Sequence, residues 1–141
     1  MSTRTLDTAS PYSGLGPAMF KTAAALTFAT GVVIHVGRII VGREEWVRLV
    51  FTPPVDIAFG VLILTATIPG LMCWRRYEGG RGGRLFYGFA MFMLIVSVPL
   101  HLRTIFTWNT DYLIAFPYCY SAIEVPMFAA MSYMATQLRF K

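Results

Sequence analysis

Val32-Val33-Ile34-His35-Val36-Gly37-Arg38 returns in part 66 positions later as Val98-Pro99-Leu100-His101-Leu102-Arg103, and these stretches hold the only two histidines of the chain. Each lies near the end of a long apolar run. An aromatic residue follows each histidine by 11 positions (Trp46, Tyr112), and Phe51 or Phe116 follows by 16 or 15, with Pro53-Pro54 or Pro117 next. A carboxylate then falls inside the following apolar run, Asp56 in one half and Glu124 in the other. The pattern predicts two helical hairpins of related design, each carrying His, Arg and an acid.

Working outward, 56% of the 141 residues are hydrophobic and only 13% are charged, far from the balance of a soluble domain. About 20 apolar residues are needed for one helical crossing of a bilayer. Four runs qualify, over about 17–41, 54–74, 85–106 and 112–137, preceded by a polar tail at 1–16. The expectation is an all-α integral membrane protein with four transmembrane helices in one bundle.

The basic residues orient it. If the loops alternate sides, Arg4, Lys21, Arg75, Arg76, Arg81, Arg84, Arg139 and Lys141 share one side, against Arg38, Arg43, Arg48 and Arg103 on the other. The positive-inside rule then places both termini in the cytoplasm. Arginines set between apolar runs serve orientation, so the net charge of +5 is not read as a nucleic-acid surface. Trp74 falls at the inner boundary and Trp46 and Trp108 at the outer one, where indole rings prefer to lie. The setting expected is a bacterial inner membrane.

With helices one and three parallel, His35 and His101 lie at similar depth, roughly 8 Å from the outer end at about 1.5 Å per residue. Asp56 enters from the same side, and Glu124 lies deeper. Ionisable groups at such depth usually face a partner or a water-filled cavity. Three proline-bearing helices gather their polar residues in this outer half.

Several functions fit. The leading one is a binding or accessory subunit of a membrane complex, with other membrane subunits or a second copy as partners. A b-type haem is a second reading. It would use His35 and His101 as axial ligands and Arg38 and Arg103 toward the propionates, while Gly31 and Ser97, four residues before each histidine, would let a flat macrocycle approach.

A third reading is a binding protein or enzyme for a lipophilic small molecule. Its residues would be Asp56, Glu124, Tyr120, Ser121 and Trp108, with Glu124 or a histidine as acid or base. The helix count and the scattered acidic, histidine and proline positions resemble the emopamil-binding and sigma-2 receptor group of sterol-related proteins, though no motif is shared along the chain. Metal binding has a poor signal, because no close ligand pair such as His-x-x-His occurs. The bland reading is internal pairing of these groups to hold the hairpins in register.

Overall fold

The structure is a computed structural model that describes residues 14–141, so most of the polar tail lies outside the described residues. The architecture is all-helical. Helix α1 spans Leu15–Val41, α2 Arg43–Leu49, α3 Pro53–Cys73, α4 Arg81–Leu102, α5 Thr104–Thr107, α6 Tyr112–Ala115 and α7 Tyr118–Gln137. A single 3₁₀ turn at Trp74–Arg76 follows α3.

Three helical segments are long and apolar enough to cross a membrane: Leu15–Val41, Pro53–Arg76 and Arg81–Thr107. Their apolar residues point outward as well as inward. Val33, Ile40, Met72, Leu85 and Phe106 are exposed, as expected of helices whose outer surface meets lipid. The fourth long helix, α7, has 20 residues and is more polar, since it carries Ser121, Glu124, Ser132 and Gln137.

Helix ends follow local chemistry. Thr52 is extended and Pro53-Pro54 open α3, where a missing backbone N–H costs nothing. Helix α4 begins at Arg81, four residues before the apolar run itself, so Gly82 and Gly83 are helical despite their low propensity. At its other end α4 stops three residues after Pro99, and α5 continues as one separate turn.

The run at 112–137 is broken. Phe116 is extended, with φ −69° and ψ 131°, because the ring of Pro117 disfavours a helical conformation in the residue before it. The result is a short α6, a kink, and α7 starting at Tyr118, six residues later than the apolar run.

The long helices pack in the order α7, α1, α3, α4, with α1 lying against both α7 and α3, and α3 against α4. At the end bearing the 3₁₀ turn, the core holds Phe20, Tyr77, Tyr87 and Phe140 in edge-on and tilted contacts. There the Tyr87 hydroxyl donates to the Gly70 carbonyl at 2.6 Å, satisfying one of the acceptors that a helix C-terminus leaves open. An isolated antiparallel bridge between Tyr77 and Phe140 ties the chain's end to the turn after α3. Cys73 and Cys119 are both free thiols. The opposite end, carrying α2, α5 and α6, holds the polar residues.

Candidate functional site

Asp56 sits in the first turn of α3 with its side chain fully buried. Such a carboxylate must be saturated with donors, and three side chains supply them. His101 Nδ1 lies 2.6 Å from Oδ1, the Tyr112 hydroxyl donates to the same oxygen at 2.8 Å, and the Thr104 hydroxyl donates to Oδ2. Gly60, one turn further along α3, makes the approach of α4 possible. A Cβ there would stand 2.7 Å from Leu102 and 3.2 Å from the Cβ of His101.

Tyr112 is held from both sides. The Arg103 guanidinium lies over its ring, 4.3 Å from the centroid, a cation–π contact. Burial, and then the neighbouring Asp56 carboxylate, push the Tyr112 hydroxyl well above its ordinary range, so it stays a donor.

A second cluster lies across the same end of the bundle. Arg38, in the last turn of α1, is completely buried. It donates to the Ser121 hydroxyl and, through Nη2, to the carbonyls of Leu113 at 2.8 Å and Phe116 at 2.7 Å. These carbonyls belong to the short α6 and the kink after it, which have no helical partners to offer. Arg38 therefore does not extend toward solvent; it closes the break before α7. Arg43 assists from α2, donating to the carbonyls of Ile114 and Phe116 at 3.1 Å. Ser121, fully buried, also meets His35 Nδ1 at 2.9 Å.

These contacts assign the two imidazole tautomers. Asp56 can only accept, so the proton between it and His101 belongs to Nδ1, and the Nε2 of neutral His101 keeps a lone pair. At Ser121 the logic reverses. Arg38 can only donate to its oxygen, and among the described residues the hydroxyl proton has one acceptor, His35 Nδ1. The Nε2 of His35 therefore carries the hydrogen. Neither Nε2 has a partner among the described residues.

Both histidines line one narrow cavity between α1, α3, α4 and α7, about 60 Å³ of space in which the centre of a water-sized sphere can move. The rest of its wall is mostly apolar, with Ile34, Phe59, Leu94, Leu100, Phe116 and Phe128 alongside Ser97 and Tyr120. Phe59 meets His101 edge-on at 4.8 Å between ring centres, and Phe128 and Tyr120 each stand 5.6 Å from His35. This space suits a slim molecule or a few waters. Benzene-sized ligands enter engineered apolar cavities of about 150 Å³.

A bis-histidine haem is poorly served by these residues. It needs a lone pair on both Nε2 atoms, which at His35 would move the hydrogen to Nδ1 and strand the Ser121 hydroxyl proton. Arg38 is committed to Ser121 and two carbonyls. The Phe128 ring lies so close over Gly31 that a Cβ there would stand 2.7 Å from it, leaving no slot for a macrocycle. Among the described residues, no three of His, Cys, Asp and Glu gather as a metal site.

The remaining residues named from the sequence fall elsewhere. Glu124 is buried on α7, one turn past Ser121, but it is not on the cavity wall, and its Oε2 has no partner among the described residues. Trp108 is 65% exposed with a left-handed backbone, outside the cavity. Arg103 is exposed over Tyr112. Thr104 and the hydrogen-bonding role of Tyr112 had no signal beyond the 11-residue spacing from His101.

No known protein family, curated protein or solved structure matches this chain. Its function must be argued from this geometry.

Proposed function

We propose that this chain is a small polytopic membrane protein whose work is to bind a slim, mainly apolar molecule in the cavity between its two histidines. Four helices cross the bilayer in this reading. Helix α7 joins the three more apolar ones because its 20 residues reach about 30 Å and its polar groups turn inward to Ser121 and Glu124, which are buried. The Arg75–Arg84 region faces the cytoplasm with both termini, so the histidine cavity lies in the outer half of the membrane. A bacterial inner membrane is the simplest setting.

The observation that carries the binding reading is the fixing of both imidazoles from behind. Each Nδ1 is held by a buried partner, each Nε2 has none among the described residues, and both rings line a mostly apolar cavity. Polar groups placed singly in an apolar wall are how small-molecule sites fix orientation.

The test is recovery of the occupant. Intact protein reconstituted with a total lipid extract of its native membrane is washed, and bound small molecules are quantified. The reading expects one molecule per chain, lost when Ser97→Phe fills the cavity. Equal recovery from both proteins would contradict it, as would a haem spectrum lost in His35→Ala.

A further inference from the structure

We infer, building on the binding reading above, that the cavity selects a ligand with a hydroxyl for His101 and a second, acceptor oxygen, ether or carbonyl, for His35. The basis is the opposite assignment of the two rings. His101 is turned into an acceptor by Asp56, which takes its Nδ1 hydrogen. His35 is turned into a donor by Ser121, whose hydroxyl proton finds His35 Nδ1 as its acceptor while Arg38 donates to the same oxygen.

The two ring faces are not free to exchange these roles. Asp56 has Thr104 and Tyr112 as further donors and no hydrogen to return. Rotation of the Ser121 hydroxyl away from His35 would leave its proton without an acceptor among the described residues. The cavity therefore presents one acceptor and one donor rather than two equivalent nitrogens. A ligand with only acceptor oxygens satisfies His35 and leaves His101 unpaired in an apolar wall. Missing hydrogen bonds of this kind are what a buried polar site discriminates against.

Slim acyclic probes test this. The full chain in lipid nanodiscs is titrated calorimetrically with 2-methoxyethanol and with 1,2-dimethoxyethane, and empty nanodiscs are subtracted. The expected result is a preference for 2-methoxyethanol of about tenfold, the value of one hydrogen bond in a desolvated site. Asp56→Asn can offer an amide hydrogen to His101 Nδ1 and so convert Nε2 to a donor, and it should invert that preference. His101→Phe, which keeps a ring in place, should abolish it.

Equal affinity of the two probes for the wild type would overturn the inference while leaving the binding reading intact. Binding of neither probe above the empty-disc background would overturn both. A preference that persists unchanged in His101→Phe would also refute the assignment, because the discrimination would then arise elsewhere.

Discussion

His101 Nδ1 lies 2.6 Å from Asp56 Oδ1, and this bond joins α4 to α3, helices from different halves of the chain. His35 does the same in reverse, crossing from α1 to Ser121 on α7. Asp56 follows His35 by 21 positions and Ser121 follows His101 by 20. Each histidine is thus held by the residue that stands about 20 positions after the other one. The two bonds tie α3 to α4 and α1 to α7 at the end of the bundle where the cavity lies.

Removing the Asp56 latch should be costly. Asp56→Ala leaves His101 Nδ1 and the Thr104 and Tyr112 hydroxyls without their acceptor, and we expect a loss of roughly 3 kcal/mol. Unfolding in mixed detergent micelles measures it. A loss below about 0.5 kcal/mol would mean that water already satisfies these groups.

Arg38→Lys is not conservative here. One ammonium cannot reach Ser121 and the carbonyls of Leu113 and Phe116 in the way a planar guanidinium does. Amide hydrogen exchange should rise at residues 112–121, with the α3–α4 contact unaffected. Uniform protection in the variant would show that the kink before α7 is held by Pro117 and Arg43 alone.

Alkaline pH should weaken the fold through Tyr112. Its hydroxyl loses its proton less readily in the folded protein than in the unfolded chain, where the ordinary value is about 10. The folded state therefore holds more protons above that pH, and stability is full below about pH 10 and falls as pH rises further. Tyr112→Phe should be less stable at neutral pH but show a shallower alkaline decline. Parallel pH profiles for the two proteins would argue against the buried bond to Asp56.

Gly60→Val tests the approach of α4 to α3. The added atoms would meet Leu102 and His101, and overpacking of this kind costs about 1–3 kcal/mol. The same variant should also loosen the His101–Asp56 bond, read as a shift in the His101 ring resonances by NMR.

Much of this end of the molecule was legible in the sequence. The similar depth of His35, His101 and Asp56 follows from helix rise and loop position alone. What sequence could not supply was azimuth, meaning which side of each helix turns toward which neighbour. An arginine near a helix end usually reaches outward; the open carbonyls created by the Phe116–Pro117 break draw Arg38 inward instead. Glu124 matched Asp56 in charge, yet Ser121 matches it in spacing and in its bond to a histidine.

Topology has its own test. In intact cells a membrane-impermeant maleimide should label exposed Cys119, at the start of α7, from outside. A cysteine introduced by Gly80→Cys, where a Cβ meets nothing within 4 Å, should react only after the membrane is opened. The reverse pattern would invert the bundle and place the cavity in the inner half.

Native mass spectrometry of the protein released gently from its own membrane reads whether the two-histidine cavity holds a small molecule. A discrete added mass is expected at one copy per chain in the wild type, absent from Ser97→Phe although that protein remains folded. A wild type that flies at its bare polypeptide mass while retaining ordinary lipids on its surface would contradict it. The two histidines would then serve to tie neighbouring helices together.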